Sequence, residues 1–171
     1  MDKALSRWYA VQTRSNFEKH TCVELHARGV EHYCPAFREV HQWADRKKVV
    51  ERPLFPGYVF ARFSDSGALR LRILQAPGAV RILGGEKIEA VPDEEIDSIR
   101  KLLNSGRQCT AHPFLREGSW VRVRRGALKN VEGTLIRVKN ETRLVLSIAL
   151  LCKSVATEVD IADVEVVRPI L

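Results

Sequence analysis

The spacing of apolar residues changes once along the chain, near residue 104, and this change restricts the folds that the chain can adopt. Before residue 104, strand-like segments alternate with segments in which apolar residues recur every three or four positions. After it, the period is two, and Val121 and Val123 alternate with Arg122 and Arg124. The pattern predicts an α+β domain, an antiparallel sheet with flanking helices, followed by a small all-β barrel.

The first domain carries clear strand and helix signals. Ser15 and Glu18 stand at the spacing of a capping box, so a helix is expected to begin there. Phe17, Thr21 and Leu25 recur every four residues and would form the buried stripe of this helix. Further helices are predicted over residues 68–75 and after Pro92, the latter with Ile96, Ile99 and Leu103 buried, and strands over residues 8–13, 32–37 and 79–83.

Two polar stretches separate these elements. Residues 38–52 are basic and predict either a hairpin arm or a flexible loop. Residues 104–113 lack periodicity and contain Ser, Gly and Pro, which is typical of a linker. We therefore expect domains at 1–104 and 115–171 joined by a linker at 105–114, with five short strands in the second domain.

The charge balance leaves two readings open. The 28 basic and 21 acidic residues give a formal net charge of +7, which suits either a soluble protein with spare cations or a partner of polyanions. In the second domain the positive charge concentrates between Arg116 and Arg143. Such a face is found on barrels that bind nucleic-acid backbones, although it could also be a solvated surface.

No motif supports an enzyme, a metal site or a membrane segment. The chain lacks a Gly-rich phosphate loop, a nucleophile elbow and a His-x-x-x-His pair. The start of the chain has no apolar signal core, so a cytoplasmic location is expected. The four cysteines, at positions 22, 34, 109 and 152, have no zinc-type spacing and are expected to be reduced, buried and small apolar residues.

The aromatic segment at residues 54–63 is the most unusual stretch of the sequence. Pro56-Gly57 predicts a turn, and the strand that leaves it carries Tyr58 and Phe60 on one face. A sheet covered by helices on one side only would leave such aromatics available to a partner. From the pattern alone they could equally form an ordinary core.

Several motifs along the sequence resemble those of the NusG-type transcription factors. The resemblance rests on Trp8-Tyr9-Ala10-Val11, on Leu54-Phe55-Pro56-Gly57-Tyr58-Val59-Phe60 and on Ala76-Pro77-Gly78-Ala79-Val80 in the N-terminal domain. Glu117-Gly118-Ser119-Trp120-Val121-Arg122-Val123, Gly126 and Val131-Glu132-Gly133 are similar to the family's SH3-like KOW barrel. Phe37-Arg38-Glu39, Trp43-Ala44-Asp45-Arg46 and residues 150–156 resemble the specialised UpxY and LoaP-type paralogs.

The resemblance implies a non-enzymatic elongation and antitermination factor, monomeric and without cofactor or metal, that binds the RNA polymerase clamp. The implied polymerase-binding residues are Tyr9, Phe55, Pro56, Tyr58 and Phe60, with Arg70 and Arg72 toward the opposite side of the cleft. Non-template and upstream DNA would meet Arg14, Lys19 and His20. The barrel would bind nascent RNA, a ribosomal protein or a termination factor through Arg122, Arg124, Arg125, Lys129 and Leu151.

Alternative functions remain open on the sequence. Because KOW barrels also occur in ribosomal proteins, the chain could be a ribosome-associated RNA-binding protein, which would not need the N-terminal aromatic segment. It could also be the housekeeping member of the family rather than a specialised paralog. If the chain is the polymerase-binding antitermination factor that the resemblance implies, Phe55→Ala or Tyr58→Ala is expected to leave a folded protein that no longer binds polymerase.

Overall fold

The chain divides into two compact units, Met1–Asp93 and Glu94–Leu171. The computed structural model describes residues 5–42, 47–84, 87–107, 110–112, 118–138, 141–148 and 151–168. Trp43, Arg46 and Cys109 lie outside these residues. No helix in the described part of the chain is long and apolar enough to cross a membrane. The domain limits expected from the sequence stay a prediction.

The N-terminal unit is a mixed α+β structure, as the sequence predicts. Its elements are β1 (Arg7–Thr13), α1 (Glu18–Ala27), β2 (Glu31–Tyr33), β3 (Ala36–Gln42), β4 (Lys47–Pro53), β5 (Tyr58–Phe63), α2 (Gly67–Leu74), β6 (Ala79–Ile82) and β7 (Ala90–Val91). The main sheet is antiparallel with the order β2-β5-β1-β6, and β7 pairs with β1. Strands β3 and β4 pair antiparallel as a separate two-stranded sheet, which confirms the hairpin alternative for the described part of residues 38–52.

The core of this unit lies between the sheet and its first two helices. Alternate residues of β1 and β5 point into it, and α1 and α2 cover them with apolar side chains. Burial of this kind is the main favourable contribution to folding. The buried cluster is formed by Tyr9, Val11, Cys22, Leu25, Val30, Val59, Ala61, Phe63, Ile73, Ala76 and Ile82.

The start of α1 differs from the prediction. The helix begins at Glu18 with Phe17 at its N-cap, and no side chain caps it, so the capping box of Ser15 and Glu18 is wrong. The reason is that the Glu18 carboxylate is used elsewhere, as described below. Of the predicted stripe, Thr21 and Leu25 are fully buried, whereas Phe17 is 39% exposed.

The single strand predicted over residues 32–37 is broken into β2 and β3. The break falls at Cys34 and Pro35, and proline has no N–H to donate to a neighbouring strand. The Pro35 carbonyl instead accepts the Leu54 N–H at 2.7 Å. This bond ties the base of the hairpin to the segment that precedes β5.

The C-terminal unit is β-rich, as predicted. Its elements are α3 (Asp93–Asn104), β8 (Thr110–His112), β9 (Ser119–Val123), β10 (Glu132–Val138), β11 (Glu141–Ile148), β12 (Lys153–Glu158), a 3-10 turn (Ile161–Asp163) and β13 (Val164–Arg168). The six strands follow the order β13-β9-β10-β11-β12-β8 among the described residues. Strand β8 falls within the segment expected to be a linker, and it pairs with β12. In α3 the third buried residue is Leu102 rather than Leu103.

Candidate functional site

The face of the N-terminal sheet opposite the helix-covered core is rich in aromatic residues. The register pairs Trp8 with Arg62, Ala10 with Phe60 and Gln12 with Tyr58 across β1 and β5. Because paired residues share a face, these side chains lie together. Tyr33 of β2 is paired with Phe60 and joins them. We call this set the aromatic face: Trp8, Tyr33, Phe55, Tyr58 and Phe60.

Ring contacts connect most members of the aromatic face. The Phe60 ring stacks on Tyr33 with centroids 6.4 Å apart and meets Phe55 edge-on at 6.1 Å. Trp8 meets Tyr33 edge-on at 6.5 Å, and the Arg62 guanidinium lies over the Trp8 ring at 5.8 Å. Aromatic pairs in this separation range attract each other beyond the area that they bury. The result is a layer of aromatic rings in mutual contact that spans three neighbouring strands.

Burial divides the aromatic face into a support and a surface. Trp8, Phe55 and Phe60 are at most 1% exposed, whereas Tyr33 and Tyr58 are half-buried. Pro56, at the turn before β5, is exposed. Two tyrosines and a proline are therefore the residues of this region that a partner could reach, and the three other rings are buried.

The turn that presents Pro56 and Tyr58 is held from two sides. The Gly57 N–H donates to Oε1 of Glu18 at 2.7 Å, and the Gly57 carbonyl accepts the Thr13 N–H at 2.8 Å. Gly57 has φ +82°, a conformation that side-chain-bearing residues rarely adopt. The Glu18 side chain is 5% exposed, so its carboxylate is a buried partner of the turn and not a helix cap.

The structure brings Phe55, Pro56, Tyr58 and Phe60 together but separates Tyr9 from them. Tyr9 lies on the opposite face of β1, in the helix-covered core, with its ring 4.6 Å from that of Phe63. Burial raises the pKa of its hydroxyl. Sequence reasoning missed Trp8 and Tyr33, which occupy the aromatic face instead. The aromatic character of both was visible, but only the strand register assigns them to this side.

The Glu18 contact leads to a first prediction. We expect Glu18→Ala to lower the free energy of unfolding by about 1–3 kcal/mol, since the Gly57 N–H loses its charged acceptor in a partly buried place. Glu18→Gln, which keeps an acceptor oxygen, should lose less. Urea denaturation followed by circular dichroism measures both variants. Glu24→Ala on the same helix removes only an i,i+4 ion pair with Arg28 and should cost about 0.5 kcal/mol or less; an equal loss in Glu18→Ala would contradict the prediction.

The two arginines of α2 have different surroundings. Arg70 forms a two-point contact with Asp65, Nε to Oδ1 at 2.5 Å and Nη2 to Oδ2 at 2.7 Å, which lowers the pKa of that carboxyl. Arg72 is exposed and makes no ion pair within 4.0 Å with any described residue. Two helix positions apart, they point about 200° from each other. They cannot both meet one flat partner surface.

The candidate DNA-binding residues all lie on exposed surface. Arg14 stands in the loop after β1, and Lys19 and His20 are in the first turn of α1. Lys19 Nζ lies 2.5 Å from Oε2 of Glu51 on the hairpin, and this contact lowers the pKa of Glu51. His20 packs edge-on against Phe17 with centroids 5.9 Å apart. Lys19 is therefore engaged in an ion pair, whereas Arg14 forms none with any described residue.

Ion pairs offset part of the basic run in the C-terminal unit. Arg122 is held by Glu132, with Nε to Oε1 at 2.8 Å, and lies 3.8 Å from Glu165. Arg125 pairs with Asp163 at 2.9 Å. Arg124 and Lys129 are exposed and form no ion pair within the described part of the unit. Of the four basic residues selected from the sequence in this run, only Arg124 and Lys129 therefore keep a positive charge that no nearby carboxylate of the described residues offsets.

Two apolar residues of this unit depart from expectation. Leu151, expected at a partner-binding position, is only 8% exposed and offers little surface. Trp120 on β9 is 39% exposed, and its indole Nε1–H donates to Oε2 of Glu132 at 2.9 Å. Sequence reasoning did not select Trp120, although its place before the alternating valines already marked it as an outward position.

Comparison with known proteins gives consistent matches. Residues 6–100 match the model of the NusG family, described as transcription termination factor nusG. The transcription termination/antitermination protein NusG of Pseudomonas aeruginosa is 27% identical over 172 residues, covering 93% of this chain and 97% of that protein. The Escherichia coli K12 protein of that name is 26% identical, with 93% and 95% covered. The solved structure "Domain interaction in Thermotoga maritima NusG" matches at a TM-score of 0.56 and 19% identity, covering 95% of this chain and 98% of that one.

Proposed function

The chain belongs to the NusG family, and on that premise we propose that it is a transcription elongation and antitermination factor that binds RNA polymerase through the aromatic face. The observation that carries the proposal is the division of that face. Tyr33 and Tyr58 are half-buried, whereas Trp8, Phe55 and Phe60 are fully buried, and the neighbouring Pro56 is exposed. Interfaces of high affinity are centred on aromatic anchors of this kind.

Rigidity of the surface supports the same proposal. The turn at Pro56 and Gly57 is fixed by hydrogen bonds from β1 and to Glu18. A surface that is already ordered loses less conformational entropy on binding than a mobile one. Binding at the polymerase clamp would bridge the cleft beside the non-template strand, and a bridged cleft would resist the opening that accompanies pausing.

Nucleic-acid contacts are a second part of the proposal. Arg14 and His20, with Lys19 released from Glu51, would meet the DNA backbone near the clamp. In the C-terminal unit, Arg124 and Lys129 are exposed cations suited to phosphate contacts with nascent RNA. We propose that this unit supplies the recruiting signal at selected operons, as in the specialised paralogs, with the chain acting in the cytoplasm.

Co-purification separates this function from the ribosomal alternative. The full chain with an affinity tag is expressed in bacteria, and the proteins that remain bound after nuclease treatment are identified by mass spectrometry. We expect the large subunits of RNA polymerase to dominate the recovered proteins. Recovery of ribosomal proteins without polymerase would favour a ribosome-associated RNA-binding protein and reject the proposal. The nuclease step removes partners that are held only through shared nucleic acid.

A further inference from the structure

Strand β9 carries a large aromatic side chain on its outward face. Val121 and Val123 of this strand are at most 3% exposed, whereas Trp120 is 39% exposed. Because successive residues of a strand point to opposite faces, Trp120 and Arg122 share the outward face. The polymerase-binding proposal does not use this ring.

The Glu132 carboxylate holds the polar edge of the Trp120 ring. The indole Nε1–H donates to Oε2 at 2.9 Å, and the other oxygen, Oε1, accepts from Arg122 Nε at 2.8 Å. The indole N–H is the only polar group of a tryptophan side chain, so the exposed part of Trp120 offers aromatic surface alone. A ring that is already held in one orientation loses little conformational entropy when a partner stacks on it.

The residues paired around Trp120 are charged. Arg122 stands two positions along the same strand, and the register places Glu132 of β10 and Glu165 of β13 opposite Arg122. The centre of a protein–protein interface is apolar and depleted in charged residues. These surroundings therefore favour a ligand that brings a planar stacking group together with charge.

Two cations at the end of β9 make that charge negative. Arg124 follows the strand directly, four residues from Trp120 or about 13 Å along an extended chain. Lys129 lies in the turn that leads to β10, and both side chains are exposed. The nearby carboxylates are engaged with Arg122 and Arg125. Among the described residues, Arg124 and Lys129 have no ion pair and remain available to an anion.

The backbone that carries these two cations is ordered. The Asn130 N–H donates to the Val123 carbonyl at 2.8 Å and closes the turn that contains Lys129. Leu128, in the middle of the turn, is 2% exposed and anchors it. The Arg124 N–H donates at 2.7 Å to a carbonyl of the 3-10 turn before β13. A ligand therefore meets a ring and two cations on a fixed frame.

We propose that this side of β9 binds single-stranded RNA: one base stacks on the Trp120 ring, and Arg124 and Lys129 pair with neighbouring phosphates. Aromatic platforms combined with cations are the usual means by which proteins hold single strands. Bases within a duplex are already stacked and paired, so only a single strand can place one on the ring. The inference rests on the proposed contact with nascent RNA, and it names the form of the RNA and the residue that meets its bases.

Binding of a short RNA made of adenine and cytosine, which stays single-stranded, tests the proposal. Fluorescence anisotropy of the labelled strand measures its affinity for the full-length chain. We expect Trp120→Ala to bind about tenfold more weakly, and Trp120→Phe, which keeps a ring, to retain most of the affinity. Val166→Ala is the control, because Val166 is 60% exposed on the neighbouring β13 and should have no role. Equal binding by folded Trp120→Ala and the unchanged chain would overturn the proposal.

Two further probes test the form of the nucleic acid. The same strand annealed to its complement offers phosphates but no free base, so Trp120→Ala should bind this duplex as the unchanged chain does. An equal loss on the duplex would overturn stacking as the role of the ring. The DNA strand of the same sequence is the other probe, and a preference for it over the RNA strand would overturn the assignment to RNA.

The salt dependence of binding separates the ring from the cations. Each phosphate contact to a single strand adds about 0.7 to the slope of log affinity against log salt concentration. Arg124→Gln should lower the slope by about that amount, whereas Trp120→Ala should weaken binding at every salt concentration and leave the slope unchanged. A slope that falls in Trp120→Ala as much as in Arg124→Gln would contradict the division of roles.

Ultraviolet cross-linking of the unchanged chain gives a measurement that needs no folded variant. We expect mass spectrometry to find the RNA attached to the peptide that contains Trp120. Attachment confined to peptides of the N-terminal unit would overturn the proposal. If the unchanged chain binds no RNA, the RNA contacts of the proposed function fail together with this inference. If it binds RNA and Trp120 has no effect, this inference alone fails.

Discussion

A Tyr58→Ala variant is expected to bind RNA polymerase about thirty-fold or more weakly than the unchanged chain while keeping its fold. Tyr58 is the half-buried residue of the aromatic face on β5, next to the exposed Pro56 turn. Truncation removes the ring that a partner would cover but leaves the buried Phe55–Phe60 ring contact in place. A loss of this size corresponds to about 2 kcal/mol, the lower limit of an interface hot spot.

Titration of labelled variant into purified core polymerase measures the effect, and circular dichroism and thermal melting verify the fold. Tyr58→Phe keeps the ring and should retain most of the affinity unless the hydroxyl is itself recognised. Trp120→Ala is the matched control, since it removes a large, partly exposed aromatic from the other unit. Unchanged affinity in folded Tyr58→Ala would reject the aromatic face as the binding site.

Phe55→Ala is expected to act on stability rather than on binding alone. Phe55 is 1% exposed and meets the Phe60 ring, so truncation leaves a cavity beneath the aromatic face. Such changes cost about 3–5 kcal/mol, a large share of the roughly 5–15 kcal/mol that stabilises a typical domain. The structure thus revises the expectation from the sequence that Phe55→Ala leaves a soundly folded protein. Loss of polymerase binding in this variant would not identify a contact residue.

Urea denaturation followed by tryptophan fluorescence measures the loss, since Trp8 belongs to the same aromatic layer. Leu71→Ala is the control: Leu71 is 58% exposed on α2, and its truncation should change the free energy of unfolding by about 0.5 kcal/mol or less. Phe55→Leu fills most of the cavity and should lose less than Phe55→Ala. A loss below about 1 kcal/mol in Phe55→Ala would show that the site collapses around the smaller side chain.

Local patterns predicted the elements well. The strand expected at residues 8–13 is β1 (Arg7–Thr13), and the helix expected at 68–75 is α2 (Gly67–Leu74). Errors occurred where a local signal competed with a distant partner. Ser15 and Glu18 have the spacing of a capping box, but the Glu18 carboxylate accepts the Gly57 N–H across the fold. Likewise β8 arises in an apparent linker because β12 offers an edge to pair with.

The sequence by itself determined the class of the fold, the place of the aromatic segment and the resemblance to the NusG family, because these depend on residue types and short periods. Successive residues of a strand point to opposite faces, so Trp8 and Tyr9 of β1 do not share one. Only the pairing with β5 decided that Trp8 shares a face with Phe60 and that Tyr9 lies in the core. The same holds for Arg122, whose charge is offset by Glu132 and Glu165 on the strands beside it. Strand pairing brings together residues far apart in sequence, so which side of a sheet meets a partner is a property of the tertiary structure.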